Sequence, residues 1–161
     1  MSTSSIGQAE PMSSAAQRYA KRGWAVFPCK PDKTPATPHG FKDATTDPET
    51  IAAWWARWPS AAIGLACGAS GLVVVDCDVH NPEADGIHAF EGLGIDHAGA
   101  LHARTPSGGM HVLWADTTGG AIGNSAGKVA AGIDIRGAGG YVIAPPSQVA
   151  AGVYEVLDDW S

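Results

Sequence analysis

Cysteine is scarce and its spacing forms no pattern. The chain has three, Cys29, Cys67 and Cys77, widely separated and odd in number, which argues against a disulfide framework. There is no Cys-x-x-Cys pair, so a structural zinc ribbon is not encoded. Such usage belongs to a reduced, cytosolic protein. No apolar run approaches the roughly 20 residues needed to span a bilayer. The Ser-rich stretch 1–12 lacks a basic segment followed by an apolar one, so it reads as a flexible lead-in to a domain over 13–161 and not as an export signal. Positive charge is also thin: ten Lys and Arg against sixteen Asp and Glu leave a net −6. A protein that coats nucleic acid by charge alone is therefore excluded. Seven of the ten basic residues (Arg18, Lys21, Arg22, Lys30, Lys33, Lys42 and Arg57) precede Pro59, which leaves room for weak, local contact with DNA.

Several motifs are missing too. The stretch from Gly123 to Val129 approaches a phosphate-binding loop, but has too few residues between its glycines and Val129 where Ser or Thr must hold Mg²⁺. There is no dinucleotide fingerprint, no His-Glu-x-x-His and no Gly-x-Ser-x-Gly.

The 161 residues, 45% of them hydrophobic, suit one globular domain. A helix is expected over Ser13–Arg22, capped by Ser13 or Ser14 and stopped by Gly23, then a strand over Trp24–Phe27. Pro28 to Thr46 holds four prolines and three lysines, a long loop of the kind that is often functional. Asp47, Pro48 and Glu49 open a second helix that runs to about Trp58. Its Trp54, Trp55 and Trp58 read as core packing, with base stacking as the other use. Strands are expected over Ala62–Cys67 and Leu72–Asp76, joined by a turn at Gly68–Gly71, and over Leu101–Arg104 and Met110–Ala115, joined through Pro106–Gly109. A helix is expected over Pro82–Leu93, and short strands over Ile133–Arg136, Tyr141–Ala144 and Val153–Val156. The sum is an α+β domain with a largely antiparallel sheet.

Chemistry concentrates at three places. The apolar run Leu72–Val75 ends in Asp76-Cys77-Asp78. Alternation along a strand puts both carboxylates on one face, where they repel unless a cation lies between them. Their hard oxygens suit Mg²⁺ or Mn²⁺, although a solvated strand end explains them equally well. A calcium loop fails: the sixth position is Asn81 and the twelfth Ile87. The second place is Thr105–His111, where Gly108 and Gly109 allow backbone amides near an anion and His111 offers a donor. A plain turn followed by a packed histidine is the blander reading. The third is Asp134 and Arg136, two apart on one strand. They either pair with each other or supply a third metal ligand and a phosphate or template contact, with Pro145, Pro146 and Ser147 lining the same pocket. His80, Asp85, His88 and His97 form a loose group for which zinc is less economical than surface helix positions.

In this order the blocks resemble the primase-polymerase family of the archaeo-eukaryotic primase superfamily, found in phage and plasmid replication proteins. They are Gly23–Pro28 with Lys33-Thr34-Pro35, the Trp54-Trp55 helix leading to Ala62–Leu65, Gly68–Asp78, Thr105–His111, Asp134–Gly140 and Pro145–Ser147. The resemblance spans roughly Ala15 to Trp160. It implies an RRM-like, largely antiparallel catalytic sheet with a second packed α/β subunit and the site between them. It also implies two divalent ions, Mg²⁺ or Mn²⁺, on Asp76, Asp78 and Asp134, with His111 on the triphosphate of the incoming nucleotide. The superfamily motif is Ser-x-His. Here Gly109 stands in the serine's place, so Ser107 or the Gly108 and Gly109 amides would take its part. Lys33, Arg136 and Ser147 are further nucleotide contacts. The implied activity is template-directed joining of dNTPs or NTPs on a DNA template and primer, in the cytoplasm of a bacterial host. A helical module and a helicase would be fused or associated, and primer extension is a firmer expectation for this segment than de novo priming. A non-catalytic RRM-like module that holds single-stranded DNA and a metal-dependent nuclease remain as alternatives.

Overall fold

The computed structural model describes residues 10–161, so most of the expected lead-in lies outside the described residues. Its end is structured: Glu10 pairs with Arg18 at 2.8 Å, and helix α1 runs over Met12–Lys21. The expected Ser13 or Ser14 cap is not made. Pro11 holds the N-cap position without a side-chain bond, and the helix is held instead by the burial of Ala15, Ala16 and Tyr19.

Strand β1 (Val26–Cys29) leads into the proline-rich loop, which contains a 3-10 turn at Gly40–Asp43. Helix α2 (Pro48–Arg57) starts as expected, with Asp47 accepting the Thr50 amide at 3.1 Å and Pro48 in the first turn. Trp55 is buried and donates its indole N–H to the Ala61 carbonyl. Trp54 packs against the core, while Trp58 lies half-buried under the Arg57 guanidinium.

Strands β2 (Ala62–Ala66) and β3 (Leu72–Cys77) do not form the hairpin that their short connection suggests. The connection is a helical turn, α3 (Cys67–Ser70), closed by Gly71 in the left-handed region. It carries the chain from one sheet into another. β2 is the centre of a three-stranded antiparallel sheet, flanked by β1 and by β8 (Tyr141–Ala144). β3 lies inside a six-stranded antiparallel sheet whose order is β11-β4-β5-β3-β7-β6. Its other members are β4 (Leu101–Arg104), β5 (Met110–Ala115), β6 (Ser125–Ala126), β7 (Ile133–Arg136) and β11 (Glu155–Val156). The β4–β5 hairpin falls where the sequence places it. The strand expected over Val153–Val156 is split at Tyr154: β10 (Gly152–Val153) pairs with β9 (Gln148–Val149), while β11 pairs with β4.

β3 is apolar along its length because both of its faces are covered. Leu72 and Val74 join the core formed with α1, α2 and the three-stranded sheet. Val75 and Cys77 face the other way, into a second core with Phe90 of helix α4 (Gly86–Gly92). That helix begins later than expected, with Asp85 capping the His88 amide at 3.0 Å, because residues 78–85 are occupied in closing the end of the sheet. The Asp78 amide donates to the Gly132 carbonyl and the Gly86 amide to the Asp78 carbonyl, each at 2.8 Å. The result is mixed α+β with antiparallel sheets, as the resemblance implies.

A Cβ on Gly86 would stand 2.2 Å from the Gly132 carbonyl oxygen and 2.6 Å from the Asp78 amide nitrogen. Backbone cannot yield as a flexible side chain does, so Gly86→Ala should lose about 1–3 kcal/mol of stability, read from urea unfolding midpoints. All three thiols are buried, and burial pushes each up to about 12. The folded protein should therefore react with a thiol reagent negligibly from pH 7 to 9, where an ordinary thiol ionises. Three equivalents should react once urea unfolds it.

Candidate active site

The face of the six-stranded sheet that packs into the main core turns polar at one end. Antiparallel pairing sets Asp76 opposite His111 of β5 on one side and opposite Asp134 of β7 on the other. Directly paired residues share a face, so His111, Asp76 and Asp134 form one row across three adjacent strands. The next row inward is Leu113, Val74 and Arg136, which places Arg136 beside the carboxylates and Val74 at the edge of the core.

Two neighbouring cavities open on this row. The first, about 370 Å³, lies between the two sheets. One wall carries Asp76, His111 and Arg136, and the other carries Phe41, Tyr141, Val142 and Ile143. The second, about 250 Å³, is lined by Asp76, Asp78, His80, Thr105 and Ser107, among others. Lys33, Asp76, His111 and Tyr154 line both.

His111 is buried, with Nε2 3.4 Å from Asp76 Oδ1 and its ring 5.8 Å from that of Tyr154. Burial alone would raise the Asp76 carboxyl. The polar contact with His111, together with the positive charge of His111, Arg136 and Lys33, outweighs it and holds the group below its ordinary value. Asp76 is thus kept ionised by the basic residues around it. The Tyr154 phenol moves the other way: its burial, reinforced by the negative charge on Asp76, pushes it up to about 12. Lys33 has the rare left-handed backbone for a non-glycine residue, φ 74°. Its amide donates to the Lys30 carbonyl at 2.8 Å and its own carbonyl accepts the Tyr141 hydroxyl at 2.8 Å. These bonds fix a lysine from the proline-rich loop at the junction of the cavities.

The remaining carboxylates have partners of their own. Asp134 accepts the Gly127 amide at 3.1 Å and lies 3.4 Å from the Arg136 guanidinium. Asp78, one residue beyond β3, is bonded to the His80 ring and amide. Among the described residues no three His, Cys, Asp or Glu side chains are drawn together as a ready-made ion cage. The donor set nonetheless suits hard divalent cations, because Asp76 stands between Asp134 on the same row and Asp78 in the same cavity, all with carboxylate oxygens. An ion would compete with His80, Gly127 and Arg136 for those oxygens.

Other expected site residues are placed differently. The Gly108 amide is engaged in its own turn, donating to the Thr105 carbonyl at 3.0 Å. Gly109 has a packing reason to be glycine, since a Cβ there would stand 2.4 Å from the Cys77 carbonyl oxygen. Ser107 does line the second cavity, its Oγ 3.4 Å from the Thr105 hydroxyl. Ser147 does not belong to the site: it is fully buried and its Oγ accepts the Ile63 amide at 2.8 Å, tying β2 to the turn after β8. Pro145 is likewise structural, its carbonyl accepting the Tyr19 hydroxyl. The loose histidine group is dispersed. His80 sits at the site on Asp78, while His97 joins His102, ring nitrogens 2.7 Å apart, in a contact that Asp158 continues.

Tyr154, Phe41, Asn124 and Tyr141 line the cavities without having been singled out by the sequence. Phe41 lies in the proline-rich loop and Tyr141 follows the Gly139-Gly140 pair, both of which were marked as functional segments. Tyr154 carries no such mark.

Ser147→Ala should leave the Ile63 amide without its partner, lowering stability by about 1–3 kcal/mol while leaving nucleotide affinity unchanged. Urea denaturation and a nucleotide titration on the same protein check the two halves.

No curated protein matches the chain in a search of whole sequences. The family model described as bifunctional DNA primase/polymerase, N-terminal (Prim-Pol), matches residues 16–160 and so takes in every element that builds the two cavities. The chain belongs to the Prim-Pol family of bifunctional DNA primases/polymerases.

Proposed function

We propose that this domain extends DNA by template-directed nucleotidyl transfer. The observation that carries this reading is the row of His111, Asp76 and Asp134, of which His111 and Asp76 line a cavity together with Lys33 and Arg136. In the reaction the primer 3′-hydroxyl attacks the α-phosphorus of a nucleoside triphosphate. One P–O bond forms, the α–β P–O bond breaks and pyrophosphate leaves. Lys33 and Arg136 bind the triphosphate and offset its charge. His111, packed beside Tyr154 and held against Asp76, donates a hydrogen bond to a phosphate oxygen and fixes its position. Catalysis of this kind is mostly positioning and charge, which suits rigid strands as a platform.

Asp76, Asp78 and Asp134 would hold two Mg²⁺ or Mn²⁺ ions, which, when bound, lower the pKa of the attacking hydroxyl and stabilise the phosphoryl oxygens. Lys33, Arg136, His111 and Ser107 are the nucleotide contacts in this reading. Its setting is phage or plasmid replication in a bacterial cytoplasm, with a DNA template, a primer, dNTPs or NTPs, and a helical module and helicase alongside. Among the described residues no helix is long and apolar enough to cross a membrane.

The test is extension of a labelled primer on a templated oligonucleotide with Mg²⁺ or Mn²⁺. The wild-type chain should extend it. Asp76→Ala/Asp78→Ala should fall by more than about a hundredfold, the loss found even for residues that only support metal ligands. Normal extension by that variant would overturn the assignment. Degradation of labelled DNA with metal and no nucleotide would point to a nuclease instead.

A further inference from the structure

Phosphate and metal chemistry account for the polar wall of the larger cavity and leave its opposite wall unexplained. That wall presents Phe41, Tyr141, Val142 and Ile143. The Phe41 and Tyr141 rings are half-buried, stacked with centroids 6.4 Å apart and planes 29° from parallel. Tyr141 is locked: Phe27 meets it edge-on at 5.1 Å, and its hydroxyl is bonded to the Lys33 carbonyl. The residue that lines both cavities as a phosphate contact is therefore tied to the aromatic ring that closes one of them.

Asn124 adds a directed polar group. The Gly137 amide donates to Asn124 Oδ1 at 3.0 Å, which fixes which end of the carboxamide is oxygen. What remains for a ligand in the cavity that Asn124 lines is the Nδ2 donor. The carboxamide lies flat against Gly140, where a Cβ would stand 2.2 Å from Oδ1, so glycine at 140 admits it. A cavity of about 370 Å³ falls within the range of small-molecule sites. It combines basic residues, an aromatic wall and one oriented amide donor.

We propose that Phe41 and Tyr141 form a nucleobase platform for the incoming nucleoside triphosphate, with Asn124 Nδ2 donating to the same nucleoside. This rests on the nucleotidyl-transfer reading and extends it from the triphosphate to the base. Every base has a π-face, so the platform accepts all four and leaves discrimination to the template.

The experiment is calorimetric titration of the folded chain with Mn²⁺ and no DNA, using each dNTP and, separately, inorganic tripolyphosphate. Wild type should bind every dNTP about tenfold more tightly than tripolyphosphate, the gain that stacking of one base gives. Phe41→Leu should remove most of that advantage and leave tripolyphosphate binding unchanged, while Tyr141→Leu, which also frees the Lys33 carbonyl, should remove the advantage and weaken both ligands. Tyr141 is part of a sheet and its variant is checked by circular dichroism. Phe41 lies on a 3-10 turn outside both sheets, so its variant carries the test if the other unfolds. Equal wild-type binding of dNTP and tripolyphosphate overturns the platform alone. So does a dNTP advantage that Phe41→Leu leaves intact, and so does a loss that appears only in primer–template binding, which would assign the wall to the primer-terminal base. A wild-type chain that binds neither ligand overturns the nucleotidyl-transfer reading and the platform together.

Discussion

The centre of this protein depends on the hydrogen-bonding register of one strand, β3, with its two neighbours. The pairing that puts Val74 opposite Leu113 also puts Asp76 opposite His111, two residues further along. The same registration against β7 brings Asp134 to the other side of Asp76. A slip of one residue would turn Val74 out of the core and Asp76 away from the cavity at once. Core and site thus specify each other: the apolar burial of Leu72, Val74 and Leu113 is what holds three ionisable groups in a row. Their mutual tension is relieved locally, by His111 beside Asp76 and Arg136 beside Asp134.

This arrangement also bears on the chain's acidity. A net charge of −6 works against the proposed reaction, whose template and nucleotide are polyanions. The site meets the problem over a short range. Lys33 and Arg136 are brought to the carboxylates from a loop and from the neighbouring strand, where they add to the larger effect of His111 in keeping Asp76 ionised despite burial. Beyond a Debye length such local charge is screened. In the proposed reaction, affinity for DNA would therefore come from contacts at the site, from a bound cation, or from an associated module.

Much of this was legible in the sequence, for physical reasons that can be named. An apolar run ending in Asp76 and Asp78 reads as a strand that turns polar at its tip, and β3 is that strand, covered on both faces. The Pro106–Gly109 turn fixes the β4–β5 hairpin. Asp47 and Pro48 fix the start of α2. What could not be read was pairing between distant segments. β2 and β3 look like a hairpin because a short, glycine-bearing connection serves equally as a tight turn or as one turn of helix. Only the competition between two sheets for apolar strands decides which. Ser147 fits a ligand-binding loop by composition, yet its hydroxyl is consumed by the Ile63 amide across the core. Tyr154 belongs to a strand broken in two by pairing with different partners, and no local pattern announces that a residue will serve two cavities.

The two ends of the described chain meet in one aromatic cluster. Tyr19 and Trp24 stack at 5.6 Å, and Trp160 closes against both, its carbonyl taken by the Arg22 guanidinium at 2.6 Å. The first helix is therefore roofed by almost the last residue described. During synthesis on a ribosome, α1 emerges with its aromatic face uncovered and keeps it uncovered until residue 160 has cleared the exit tunnel. Contacts of such long sequence separation form late and slowly. Completion of the domain is thus tied to the synthesis of residue 160, and a translation product stopped short of Trp160 presents exposed aromatic surface to the cell's quality control.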